Sequence, residues 1–144
     1  MTLNIAKDYS LFTGLRYCDI SEHSGEDFYH NMLNEKFKEA LDNHEKLLVV
    51  LDDVEDDGYS PSFIDEAFGN LVYDFSEKIV RDNLILQSEK DPHVKYQVLE
   101  MTIPTWGKRR KEHEAPKKTQ VHNPWFRLTN NGFERKVWEN VTNN

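Results

Sequence analysis

The chain is short of cysteine, of glycine and of long apolar runs, and each shortage removes a class of function. Cys18 is the single cysteine among 144 residues, so an internal disulfide and a cysteine-rich zinc site are both excluded. Nothing beside Cys18 in sequence would depress a thiol pKa, and the expected role is that of a small, partly buried hydrophobe. Of the six glycines, none stands in a G-x-G-x-x-G or G-x-x-x-x-G-K arrangement, which removes the known phosphate-cradling loops. No segment approaches the roughly 18 consecutive apolar residues that span a bilayer. The N-terminus also lacks a basic stretch leading into an apolar one, so a cytoplasmic protein without membrane contact is expected. His23, His30, His44, His93, His113 and His122 contain no i, i+4 pair of the kind a helical zinc site uses. They show no nearby acid–base pattern either, so neither a catalytic set nor a cofactor nor a metal is expected.

What is present is an ordinary globular composition, 38% hydrophobic and 12% aromatic, enough for one domain with a real core. No internal repeat divides it. Charge is uneven. Residues 1–107 hold 22 Asp and Glu against nine Lys and Arg, whereas residues 108–144 hold four against nine. An acidic body does not track a phosphate backbone, which requires clustered cations. The basic run Lys108, Arg109, Arg110 and Lys111, with Lys117 and Lys118 beyond it, is the one segment suited to touching nucleic acid or an acidic partner.

Periodicity suggests the order ββαβαβ. Thr2 to Lys7 alternates as a short strand, and Leu15 to Ile20 is a second candidate with Gly14 in the turn between them. Ser24 caps a helix whose Phe28, Met32, Leu33, Phe37, Ala40 and Leu41 share a face and which ends near Asn43. Leu47 to Leu51 are five consecutive apolar residues, as in a strand covered on both faces. A helix from 61 to about 82 then carries Ile64, Ala67, Phe68, Leu71, Val72, Phe75 and Ile79 as a broad apolar stripe that would pack on a sheet. Asn83 to Ser88 suits another buried strand, and Asp91-Pro92 opens a further helix that Pro104 should end or kink. Past Glu112 the chain turns polar, yet Val121, Trp125, Phe126, Phe133, Val137 and Trp138 are too apolar for disorder and must dock on something. The expected fold class is α/β, a small mixed sheet flanked by helices. The expected division is a domain over 1–107 and an aromatic-rich C-terminal extension over 108–144.

The most informative stretch is the junction from Leu47 through the acidic loop to Leu71. A strand's C-terminal end feeding a helix N-terminus is where open α/β sheets place ligand or partner contacts. Ser60 fits the N-cap with Pro61 at the first helical position, and Ser62 with Asp65 offers a second capping choice. Asp53, Glu55 and Asp57 followed by Gly58 imitate the first half of a calcium loop. The twelfth position is Ile64, where a bidentate Glu is required, so an EF-hand is excluded. The loop reads as a solvated turn able to present carboxylates to a basic partner.

Four segments occur here in a telling order: Gly14 and Arg16; Ser24, Gly25 and Phe28; Leu51 and Asp52; and Tyr59, Ser62, Phe63, Glu66, Phe68, Gly69 and Leu71. Together they resemble a STAS-like domain of the uncharacterised bacterial kind, over about residues 3–103. The resemblance implies a small α/β domain that regulates by binding. Its better-known relatives, the anti-sigma-factor antagonists, bind histidine-kinase-like ATPases. They are switched by phosphorylation of a Ser or Thr at the helix start, within an Asp-Ser-Ser/Thr-Gly motif. Ser60 or Ser62 would stand there. This chain departs from that motif, with Tyr59 in place of the Asp, Pro61 between the serines and Phe63 in place of the Gly. Helix capping alone is the other role open to both serines.

The resulting expectation is a non-enzymatic regulatory module that binds a protein partner, a histidine-kinase-like ATPase among the candidates, through the junction 52–69. Its contact residues would be Asp52, Asp56, Asp57, Tyr59, Ser60, Ser62, Phe63 and Glu66, with Ser60 and Ser62 as phosphorylation sites. The alternative is a nucleic-acid-associated or phage-defence-related accessory protein using Lys108, Arg109, Arg110 and Lys111. The extension could fold back on its own domain or exchange with a second copy to make a homodimer.

Overall fold

The computed structural model describes residues 1–55 and 58–138. Three short strands, β1 (Thr2–Asn4), β2 (Leu47–Val50) and β3 (Leu84–Gln87), form a parallel sheet in that order. Leu3 lies opposite Val49, and Val49 opposite Leu86. All three side chains are buried. The antiparallel pairing is confined to a separate hairpin, β4 (Trp125–Thr129) with β5 (Gly132–Lys136).

Helix α1 (25–42) joins β1 to β2. It is built from Gly25–Phe28, a π-helical turn Tyr29–Leu33 and Asn34–Asp42. Ser24 caps it by accepting from Asp27 N–H at 3.0 Å. At its other end Glu45 N–H bonds to Ala40 C=O and His44 N–H to Leu41 C=O. That is a Schellman closure with His44 at φ 56° where glycine is usual.

Helix α2 (Pro61–Phe75) is the centre of the molecule. Ser60 is its cap, accepting from Phe63 N–H at 3.1 Å, which decides between the two capping choices. From Phe63 to Phe75 every residue except Asp65 is buried. A helix buried all round has no solvent face, and α1 and α4 flank it. The expected single helix over 61–82 is broken at Ser76, whose φ of 90° ends α2, and whose hydroxyl caps α3 (Glu77–Asn83).

Helix α4 (92–111) continues through Pro104 instead of ending there. Pro92–Tyr96 leads into a π-helical turn, Gln97–Thr102, and then Ile103–Lys111. A wide turn just before the proline changes the hydrogen-bond register where its missing N–H would otherwise break the ladder. The boundary drawn at 107 falls inside this helix.

Two strand expectations fail. Beyond Asn4 the first strand gives way to a π-helical turn, Ile5–Tyr9, because the Asn4 side chain caps it by accepting from Lys7 N–H. Residues 15–20 form no strand: Leu15 and Arg16 offer their carbonyls to Gly25 N–H (2.9 Å) and Glu26 N–H (3.0 Å). Those amides open α1 and have no partner within it, so the loop is spent on closing a helix end. The aromatic extension docks on its own chain. Trp125 is buried, Phe126 packs against the core, and Phe133 meets Phe75 at 5.8 Å. Val121 and Val137 stay exposed. Among the described residues no helix is long and apolar enough to cross a membrane.

Candidate functional site

Glu66, Asn70 and Asp74 recur every four residues on α2, which sets them one above another on a single face. All three are buried, and buried polar groups of this kind require partners. Each finds one from a distant segment. Arg16 Nη1 reaches Glu66 Oε1 at 3.1 Å and Asp65 Oδ2 at 2.8 Å. Lys118 Nζ donates to Asn70 Oδ1 at 2.7 Å, and Asn70 Nδ2 donates to Glu66 Oε2 at 2.7 Å. Arg127 Nε donates to Asp74 Oδ1 at 2.6 Å, while Tyr29 donates to Asp74 Oδ2 at 2.5 Å. Burial pushes the Glu66 carboxyl up, against the hydrogen bonds of Asn70 and Arg16 that hold it ionised. Burial lowers Lys118 to about 8, even with Asp74 and Glu66 nearby.

Two glycines admit this arrangement. A Cβ on Gly25 would sit 2.5 Å from Phe63 C=O, and one on Gly69 would sit 2.1 Å from Trp106 Cε2. α1 and α4 can therefore approach α2 only where these positions lack a side chain. Trp106 in turn donates from Nε1 to Asp65 Oδ1 at 3.2 Å, beside the Thr102 hydroxyl at 3.1 Å.

A second buried cluster lies at the start of α1. Glu26 is fully buried and accepts from four donors: Thr119 N–H (2.9 Å), Thr119 Oγ1 (2.6 Å), His122 Nε2 (2.6 Å) and Cys18 N–H (3.1 Å). Burial alone would raise this carboxyl, but the bonds from His122 and Thr119 prevail and hold it at about 2. His122 stacks on His30 at 3.9 Å with 14° between the planes. Both His30 ring nitrogens lack a partner, and burial drives its pKa far below the ordinary value, so the ring is neutral. Burial, aided by the Glu26 and Asp27 charges, pushes the Cys18 thiol up to about 11. That is the opposite of an activated nucleophile.

Of the motif residues, Gly25, Phe28, Phe63 and Glu66 meet at the α1–α2 contact, and Gly69 receives Trp106 of α4. Residues 24–94 match the family model of the STAS-like domain of unknown function (DUF4325). Gly14 and Arg16 precede the matched span, and the extension follows it. No curated protein and no solved structure matches the chain. The STAS-like span supplies the acidic half of the buried pairs, and Arg16, Lys118 and Arg127 from outside it supply the basic half.

The residues expected to meet a partner fall in different environments. Phe63 is fully buried and Glu66 is 1% exposed, so neither is open at the surface: their spacing on α2 turns them toward the core. Tyr59 lies over Phe63 and donates to Leu51 C=O at 2.8 Å. Burial pushes its pKa up, helped by Asp52 and Asp53. Asp52 accepts from Lys90 N–H at 2.8 Å. Ser60 donates to Gly14 C=O at 3.1 Å while capping α2, and its oxygen lies 3.2 Å from that of Ser62. Asp56 and Asp57 lie outside the described residues. The basic run does not make a continuous stripe. Arg109 stacks on Trp106 at 4.0 Å, and Arg110 donates to Tyr73 C=O (2.5 Å) and Leu128 C=O (2.7 Å).

A cleft of about 950 Å³ opens between α3, the end of α4 and the hairpin, lined by Arg81, Arg110, Lys111 and Arg127 among others. It is remote in the fold from Ser60 and Ser62, which do not line it. Sequence reasoning missed Glu26, Asn70, Asp74, Lys118, His122 and Arg127. The signal available for two of them, Asn70 and Asp74, was a polar residue every four positions, starting from Glu66, along a helix otherwise rich in apolar residues.

Proposed function

We propose that this STAS-like protein is a non-enzymatic regulatory module that binds a protein partner at the C-terminal end of its parallel sheet. The observation that carries this reading is an exposed apolar cluster beside the acidic turn. Leu11 is 45%, Phe12 67% and Leu15 46% exposed. Glu55 N–H bonds to Leu11 C=O at 3.0 Å and Ser60 to Gly14 C=O at 3.1 Å, so the cluster is tied to the turn and to the α2 cap. Grouped exposed apolar side chains next to carboxylates suit a partner face that is apolar with a basic rim. A histidine-kinase-like ATPase is the partner class that the family resemblance suggests.

Ser60 gives the surface a route to control. A phosphate there could no longer donate to Gly14 C=O, and its charge would face Asp65 and Glu66 as well as the helix N–H groups. Segment 10–16 would be released from the α2 cap, and partner affinity would change with it.

Tagged wild-type and Phe12→Asp chains purified from the native host, at low and raised salt, test the reading. A protein retained by the wild type, lost with Phe12→Asp and weakened by salt is the expected result. Identical partner profiles for the two chains would refute the surface. Ser60→Asp, which removes the bond to Gly14 C=O and adds a charge beside Asp65 and Glu66, should behave as Phe12→Asp does.

A further inference from the structure

Cys18 Sγ, a Glu26 carboxylate oxygen and a His122 ring nitrogen all lie within 4.8 Å of one another. They come from three separate stretches: the loop before α1, the first turn of α1, and the extension. The fold uses Glu26 and His122 to hold the extension, but it has no evident use for the thiol, whose polar neighbour is Ser24 Oγ at 3.4 Å. One sulfur, one imidazole nitrogen and one carboxylate oxygen make the mixed donor set that zinc accepts.

The geometry is close to what an ion needs. Bonds of about 2.3 Å to sulfur and about 2.0–2.2 Å to nitrogen and oxygen place tetrahedral ligand atoms roughly 3.3–3.7 Å apart. The sulfur has to approach by at most about 1 Å, and the 2.6 Å Glu26–His122 pair has to open by a similar amount, both within the reach of side-chain torsions. Glu26 and His122 side chains are 0% and 2% exposed, so an ion there would be shielded from bulk water. Outer support is in place as well. Thr119 Oγ1 and Cys18 N–H bond to Glu26 Oε1 and would orient the carboxylate while Oε2 faces the ion.

His30 supplies an independent observation. It is a buried ring stacked on His122 with two unpartnered nitrogens, and no hydrogen bond of the fold accounts for a polar side chain there. We infer that Cys18, Glu26 and His122 form a three-ligand site for a divalent transition metal of the zinc class, with a water completing the tetrahedron. Ligation requires the Cys18 sulfur as a thiolate and a free lone pair on the His122 ring nitrogen, so the thiol proton leaves to solvent on binding. The ion would clip the loop, α1 and the extension together.

The test uses the full chain without a tag, stripped with a chelator and titrated with Co²⁺ and then Zn²⁺. The expected result is uptake of one cobalt with a thiolate-to-cobalt charge-transfer band and tetrahedral visible bands, displaced by zinc. Cys18→Ser should lose the charge-transfer band and bind zinc at least about tenfold more weakly, with the circular dichroism of the chelated protein unchanged. Absence of uptake, or uptake indifferent to Cys18→Ser, would overturn the inference. Alkylation of Cys18 in the wild-type chain decides the same question without a variant: zinc protects the thiol if it is a ligand, and an unprotected thiol rejects the site.

Discussion

Gly69→Ala should destabilise this protein for a reason located in one contact. The added methyl would stand 2.1 Å from Trp106 Cε2 and 2.3 Å from its Nε1, against an ordinary carbon–carbon contact of about 3.5 Å or more. Trp106 is 1% exposed, so it has no solvent to move into. Forcing it aside carries an overpacking cost of ~1–3 kcal/mol. Losing its bond to Asp65 Oδ1 adds about 1 kcal/mol. The sum, about 2–4 kcal/mol, corresponds to a fall in Tm of roughly 6–12 °C for a chain of this size. Urea unfolding followed by circular dichroism measures it, and a double-mutant cycle with Trp106→Leu isolates the cause. In the Trp106→Leu background the clash is gone and only helix propensity remains. The same Gly69→Ala change should then stabilise by about 0.5–1 kcal/mol. Equal destabilisation in both backgrounds would refute the close-approach argument, and so would no effect in the wild type.

Three further outcomes test other parts of the structure. Asp74→Asn leaves Arg127 without its carboxylate in a partly buried site, so unfolding by urea should show a loss of about 3 kcal/mol; a change below about 0.5 kcal/mol would mean that the pair is not formed. Lys118 is held at about 8 by burial against an ordinary 10.5. Between those values the unfolded chain binds more protons than the folded one, so stability should rise with pH from 8 toward 10, up to about 3 kcal/mol, and the difference between wild type and Lys118→Met isolates this slope. His44 and His113 stand at φ 56° and 57° at the closures of α1 and α4, and replacing either with Gly should stabilise by about 0.5–1 kcal/mol in the same urea assay.

The parts of the fold that were legible in the sequence are those decided within one or two helical turns. Leu47 to Leu51 form a buried strand and a turn because no polar residue interrupts the run, and Ser60-Pro61 starts α2 because capping is a local interaction. Residues 15–20 carry enough apolar and aromatic side chains to read as a strand, but the amides of Gly25 and Glu26 take the carbonyls at 15 and 16, and that pairing spans about ten residues. Pro104 looked terminal because a widened turn upstream of it has no composition signal. Among the histidines, His44 and His113 occupy left-handed closure positions that glycine usually holds. The candidate site divides in the same way. The four-residue spacing of Glu66, Asn70 and Asp74 was visible, while Arg16, Lys118 and Arg127 lie 48 to 53 residues away in sequence and no periodicity announces them.

That separation bears on what the folded unit is. Residues 24–94 place Glu26, Asn70 and Asp74 on inward faces of α1 and α2, where an unpaired carboxylate would cost several kcal/mol. Thr119 and His122 satisfy Glu26, Lys118 satisfies Asn70, and Arg127 satisfies Asp74. The net charge of the extension is opposite to that of the body, and its Lys118, Thr119, His122 and Arg127 side chains find their partners inside the body. Cutting the chain after Lys111 would therefore expose Phe75 and Tyr29 and also strand two buried acids without donors they now have. Part of the basic tail is turned inward in the structure: Arg127 pairs with Asp74, Lys118 bonds Asn70, and Arg110 is spent on the carbonyls of Tyr73 and Leu128. Leu11, Phe12 and Leu15, beside the acidic turn, are among the large apolar side chains that stay outward, and their attachment to the turn and to the α2 cap sets them apart as a contact surface.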